Sequence, residues 1–465
     1  MGGLGFAHAH VNRFLAPPSK APAVPYREKG QRAKPAVAFA FSLAYPRAMG
    51  MSGLIFAATL GYMGILAWLI ADLGHSRRWR LRRAELGARG DWQELTEYFE
   101  KEIGCRRPLL RLFRTMVLPG LLEAEYALHL SNQGEHEKAL AWADRAGSRS
   151  GWRKVLGKKL KVRALILCRL GRYQEAEAVV AKSRVSSAGE AQTEVVEGLI
   201  QLYQGRVEAA LGQQAIHEPR LTSAARALVS TALVLMGRFQ DAVNILIYEP
   251  SNVLVYFKPD ELQQVTRDDL GRRLVLALDE KHASVTRPAR HLEIASACFE
   301  AGDWQSLERA VRRAERELKS HPIVERIYLR LQACSCASKG DTAGTENNLA
   351  RVRQSVDEAP NRSAKYEAHQ AAGRAYSLLG WSERAFSEFQ EAAKLALHPL
   401  EQHTTKYWLA RAAEAAGRRE EALGNFRRVV ADGFNTRMSA DARARLDAPG
   451  VTPQPVSESL NLGEY

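Results

Sequence analysis

The sequence predicts an all-α protein, a superhelical solenoid of antiparallel helix pairs following a single transmembrane helix. Two observations predict it. A glycine punctuates most of the chain at a nearly fixed interval, and one long apolar run stands ahead of the first of these glycines. A fixed period of a few tens of residues marks stacked units, each of which must bury its apolar face on its neighbours.

The first element, residues 1–48, is a basic Ala/Pro-rich leader with seven Lys or Arg against one acid, Glu28. It shows neither a helical nor a strand period. It is expected to be disordered or, because Met49 and Met51 stand just before the apolar run, not to be translated at all. A basic, acid-poor stretch of this kind also fits a transit peptide.

Residues 52–74 form the predicted membrane span. From Gly53 to Leu73 the sequence reads GLIFAATLGYMGILAWLIADL, with Asp72 near its end. At ~1.5 Å per residue a run of this length crosses a ~30 Å hydrocarbon core. Gly53, Ala57 and Gly61 recur every four residues. Small residues at that spacing allow close helix approach, so a helix-mediated dimer is a possible consequence.

The juxtamembrane segment 75–89 is rich in arginine. Arg77, Arg78, Trp79, Arg80, Arg82 and Arg83 are the candidate membrane-interface residues, against Arg32, Lys34 and Arg47 on the other side. The positive-inside rule then places the repeats in the cytoplasm, in a single-pass protein of, by expectation, a bacterial inner membrane. The arginines suit anionic lipid head groups, and equally suit a simple stop-transfer cluster. This segment and the leader account for most of the formal net charge of +14. Only +4 is left for residues 84–465, so no nucleic-acid partner is expected.

The repeats follow. Gly134, Gly171, Gly205, Gly237, Gly302, Gly340, Gly380 and Gly417 are spaced by 37, 34, 32, 65, 38, 40 and 37 residues. Five residues after most of them stands a small Ala, where two helices would cross. The pattern is fullest in Tyr366 to Leu379 followed by Ser382 to Leu395, with Pro399 expected to end the second helix. The reading gives a first array over 86–249 and a second over 289–446. Between them, 250–288 is an irregular module or a degenerate repeat, and 447–465 is expected to be a disordered tail. Cys105-Arg-Arg-Pro-Leu-Leu-Arg-Leu-Phe-Arg114 is basic and amphipathic, and suits either a lipid surface or a capping helix.

Of the five cysteines, Cys168, Cys298 and Cys336 each fall three or four residues before a repeat glycine, which is a packing slot. No C-x-x-C pair occurs, so neither a zinc site nor a disulfide framework is expected. No phosphate-binding loop, nucleophile elbow or metalloprotease motif is present, and neither enzyme activity nor a cofactor is expected.

These units resemble the tetratricopeptide repeat family. The resemblance is carried by Gly373, Tyr376, Gly380, Ala385, Phe389, Ala392 and Pro399, then by Gly417, Ala422 and Phe426. Gly198 and Ala210, and Ala164, Tyr173 and Ala176, carry it in earlier units. The resemblance implies a superhelix whose concave groove binds peptides or proteins. Family geometry puts Lys158, Lys161, Glu367, Gln370, Arg374, Tyr407 and Arg411 on that face as partner-binding candidates. Lys158 and Lys161 suit acidic segments, or simply a solvated helix face. Leu165 stands where a carboxylate-clamping Asn would be, so a chaperone-type clamp is not expected.

Anchor-then-repeats is also similar to the bacterial lipopolysaccharide assembly protein B family, but the C-x-x-C pairs of that family are missing and its role is not carried over. The functional expectation is a membrane-anchored adaptor recruiting protein partners to an assembly for envelope biogenesis, secretion or motility. The alternatives are an organellar tethering or import receptor, or a non-catalytic regulatory subunit of a membrane enzyme.

Overall fold

Each first helix of a pair stops at a glycine because the chain must reverse there. At Gly380 the backbone is left-handed, with φ +76°, a conformation that costs a side-chain-bearing residue about 1–2 kcal/mol. The Gly380 N–H donates to the Ser377 carbonyl at 3.2 Å and the Trp381 N–H to that of Tyr376 at 2.9 Å. This Schellman arrangement satisfies carbonyls that the helix end would leave open. The same pair of bonds closes the first helix at every repeat glycine read from the sequence, and each has positive φ.

A computed structural model describes residues 82–83, 86, 92–104, 120–147, 153–186, 191–212, 223–247, 289–318, 322–357, 362–447 and 460. The leader, the predicted span 52–74 and the module 250–288 lie outside the described residues. So do Arg77, Arg78, Trp79, Arg80 and the 105–114 stretch. Among the described residues no helix is long and apolar enough to cross a membrane.

All described elements are helices. α1 (Trp92–Ile103) precedes eight pairs, which are α2 (Leu121–Gln133) with α3 (His136–Gly147), α4 (Arg153–Arg169) with α5 (Tyr173–Ser186), α6 (Ala191–Tyr203) with α7 (Val207–Gly212), and α8 (Ser223–Leu235) with α9 (Phe239–Ile247) in the first half. In the second half α10 spans 289–301 and pairs with α11 (Trp304–Glu317). Then come α12 (Pro322–Ser338) with α13 (Thr342–Asp357), α14 (Arg362–Leu378) with α15 (Ser382–Leu395), and α16 (Pro399–Ala415) with α17 (Arg419–Ala431); α18 (Arg437–Asp447) covers the end. This is a tetratricopeptide-like stack of helix pairs.

The residue five places after each glycine lies at the crossing of a pair. Ala139, Ala176, Ala210, Ala242, Leu307, Thr345, Ala385 and Ala422 are all buried there. Thr345 is accommodated because its hydroxyl donates to the Asp341 carbonyl at 2.6 Å. Pro399 does not end α15, which stops at Leu395. It opens α16 instead, where a missing N–H costs nothing. Burial raises the thiols of Cys168, Cys298 and Cys334 to about 12, as befits packing residues. Cys336 is only half-buried.

The two arrays are continuous. Phe239, Val243 and Leu246 of α9 share a core with Leu292 and Ile294 of α10 and Leu307 of α11. Leu460, from the tail, is buried in the same core, and its N–H donates to Asp303 at 2.9 Å. The superhelix then curls back on itself, so that the turn before α16 and the turn after α17 reach the glycine edge of the first array. The Phe434 ring sits on Gly205, and Asn435 donates to Glu208 at 2.5 Å.

Candidate partner-binding surface

First helices pack on the first helices of neighbouring pairs and so form one wall. The chemistry of that wall differs from the rest of the core. Buried charged residues stand on it, including Glu125, Lys161, Arg226, Glu293, Arg330 and Arg374, from α2, α4, α8, α10, α12 and α14 in turn. On the second helices of the described pairs the buried polar residues are uncharged, for example Ser183, Ser306, Thr345 and Asn425. A charge withdrawn from water is costly unless paired. The wall is therefore held by specific ion pairs.

Arg374 is the hub. Its guanidinium lies between the rings of Phe299 and Trp408, 4.8 and 4.5 Å from their centroids, and pairs with Glu300 at 2.6 Å. Arg437, arriving from α18, donates to the Glu300 carbonyl at 2.7 Å and to its carboxylate at 2.8 Å, and covers the Phe239 ring. Burial opposes ionisation of Glu300, yet the Arg374 and Arg437 charges hold its carboxyl well below the usual range. Arg330 pairs with Glu367, and Gln370 donates through Nε2 to Thr405 Oγ1 at 2.8 Å.

Of the seven partner-binding candidates, the structure brings Glu367, Gln370 and Arg374 together around a small pocket between α10, α12 and α14. Tyr407 and Arg411 form a separate group on α16. The Tyr407 hydroxyl donates to Asp441 at 2.8 Å and accepts from Arg411 at 3.1 Å. Lys161 is buried in α4, in the other array, and Lys158 lies on the same helix. Of the interface arginines, Arg82 pairs with Glu94 at 2.5 Å and Arg83 with Glu125. Arg82 therefore engages a carboxylate of α1, and Arg83 one of the first helix α2.

Sequence reading missed Glu300, Phe299, Arg330 and Trp408. Their signal was faint: each is a polar or aromatic residue on a first helix, at a position where the repeat pattern asks for nothing in particular. It also missed His398. The Tyr173 hydroxyl meets His398 Nδ1 at 2.5 Å, and the Tyr203 ring lies 4.2 Å from it. Among the described residues no cluster of three or more His, Cys, Asp or Glu is arranged to hold a metal ion.

No family model and no curated protein matches this chain. Among solved structures it is similar to the APC/C hetero-tetramer Cut9–Hcn1, with 13% identity over 77% of this chain and 87% of that one, at a TM-score of 0.25. A score that low carries no argument, and the fold is established by the helix pairs themselves.

Proposed function

We propose that the chain is a non-catalytic adaptor that holds protein partners along the wall of first helices and recruits them to a membrane-associated assembly. The observation that carries this reading is the segregation of buried charge onto that wall. A solenoid stabilised by stacking alone has no need of arginine in its core, whereas a binding groove needs polar groups fixed in place before the partner arrives. The tethering half of the reading rests on the apolar run 53–73 and the arginines that follow it.

Both halves can be tested separately. Photo-crosslinking residues placed at Arg326 and Glu367 on the wall, and at Arg351 and Glu391 on second helices, should capture a defined set of proteins from the wall positions only. Equal capture from both faces would sink the adaptor reading. Deleting residues 52–74 should release the protein from carbonate-washed membranes, and retention of the deleted form would remove the anchor.

A further inference from the structure

Leu460 is buried in the core shared by α9, α10 and α11, although it comes from the tail beyond α18. Its backbone N–H donates to Asp303 Oδ2 at 2.9 Å. The other oxygen of that carboxylate, Oδ1, accepts the Ser306 N–H at 3.0 Å and caps α11. One carboxylate thus holds its own helix and a segment distant in sequence.

A helix cap by itself needs neither burial nor a second donor. The corresponding turn of the next pair shows this. There Asp341 Oδ1 accepts the Gly344 N–H at 2.8 Å in the same way, and Asp341 is exposed. Asp303 is buried. Burial opposes its ionisation, yet the Leu460 N–H, ahead of the Ser306 N–H and hydroxyl and the Arg309 charge, holds its carboxyl below the usual range. A backbone N–H given to a carboxylate is a charge-assisted bond. A main-chain bond that gives affinity, beside an apolar slot that selects a side chain, is a recurring way of recognising a peptide segment.

We propose that the α10–α11 turn is a docking site for a leucine on a non-helical segment, and that the chain's own tail occupies it as a strap. The reach suffices. The chain between Asp447 and Leu460 can span roughly 40 Å. α18 already touches the same junction, where Arg437 lies over the Phe239 ring of α9 and pairs with Glu300 of α10. The strap seals the core that joins the two arrays, so its release uncovers the site and loosens the α9–α10 junction together. One side chain and one hydrogen bond make a weak contact, with a Kd of about 0.1–1 mM for the free segment. Tethering supplies an effective concentration of about 1–10 mM, which keeps the site filled yet open to exchange. None of this depends on the adaptor reading.

The test uses the full chain in detergent carrying Leu460→Ser, which empties the site, and a fluorescent peptide of residues 451–465 read by anisotropy. The peptide should bind the Leu460→Ser chain saturably, and the wild-type chain about tenfold more weakly because the tethered tail competes. A peptide with the same Leu460→Ser change should bind neither. Asp303→Ser, added to the emptied chain, keeps a cap for the Ser306 N–H but withdraws the second acceptor, and should weaken binding about tenfold. Equal binding to the wild-type and emptied chains, or none to the emptied chain at several millimolar peptide, would overturn the proposal and leave Leu460 a packing residue. Self-association of the wild-type chain that Leu460→Ser abolishes would put the tail on a second copy and overturn the assignment to its own chain. Leu460→Ala gives the same comparison if Leu460→Ser folds poorly. Protection of the Leu460 amide from hydrogen exchange in the wild-type chain, lost in Asp303→Ser, reads the contact with no change to the tail, and an unprotected amide would overturn it.

Discussion

His398 sits at the turn before α16, its Nδ1 hydrogen-bonded at 2.5 Å to the hydroxyl of Tyr173, a residue of the other array. Burial, and after it the charge of Arg362, lowers its pKa to about 3. His136 is pushed to about 3 by burial and then by Arg169, and His129 to about 4 by burial and then by Arg83. Each is neutral in the folded chain and titrates near 6.5 when unfolded. Below that value the unfolded state binds more protons, so stability is present above pH 6.5 and is lost as pH falls toward the folded pKa. Glu401 works the other way, because burial raises its carboxyl to about 7 and the folded state there binds the extra proton. Three histidines outweigh one carboxyl, and the melting temperature should fall between pH 7 and pH 5. His398→Gln, which keeps a hydrogen-bonding group for Tyr173, should remove about 2 kcal/mol of that pH dependence. An unchanged slope in urea titrations at the two pH values would show that His398 is not held neutral. Gly205 offers a second residue-scale contrast. It and Gly340 both have positive φ, but a Cβ at Gly205 would stand 2.4 Å from the Phe434 ring, whereas at Gly340 it meets open space. Gly340→Ala should cost the backbone strain of about 1–2 kcal/mol, and Gly205→Ala a further ~1–3 kcal/mol of overpacking. Equal losses in denaturant unfolding would mean that Phe434 is not seated there.

At the scale of the helix pair, close approach is set by small residues. A Cβ on Gly373 of α14 would lie 2.7 Å from the Phe389 ring of α15, and that ring is itself stacked on Trp408 at 6.0 Å and has nowhere to go. Gly373→Ala should therefore destabilise the second array by about 1–3 kcal/mol despite the better helix propensity of Ala. A gain in stability, read by thermal melting, would show that the helices are further apart than described. These pairs were legible in the sequence because their determinants are local. A left-handed turn demands glycine, and a helix crossing demands a small residue at a fixed offset, so Gly380, Ala385 and Phe389 announce a pair without reference to the rest of the chain. Ser382 to Leu395 is the second helix both in the pattern and in the structure. Pro399 was misread because a proline after a helix marks an end and a start equally well, and only the length of the connection decides between them. The pocket was half legible. Glu367, Gln370 and Arg374 follow from the first-helix spacing, but Phe299 and Arg330 come from earlier units, and no periodicity says which side chains of three units converge.

The closure of the whole molecule was not legible at all, because it joins residues far apart in sequence through positions that the repeat pattern leaves free. It changes what the protein is mechanically. An open solenoid has only neighbour-to-neighbour contacts, so its ends can unfold independently. Here the first array touches the second in two regions. One is the direct junction of α9 with α10, the other the return of His398, Phe434, Asn435 and Arg437 onto Tyr173, Tyr203, Gly205, Glu208 and Phe239. The second contact closes a loop of repeats, and a loop closed at two places resists local opening at either. It also fixes Glu300, and through Glu300 the hub Arg374, because Arg437 donates from the far end of the chain. The full-length protein should therefore unfold in urea as one transition over residues 82–447. His398→Ala, Phe434→Ala and Arg437→Ala together remove the return contact but leave every helix pair and the α9–α10 junction intact. That variant should show two transitions, or one of visibly reduced steepness, together with a larger radius of gyration in small-angle scattering. A single transition of unchanged steepness would mean that the junction alone couples the arrays, and the Arg374 hub would then be positioned by its own array and not by the closure.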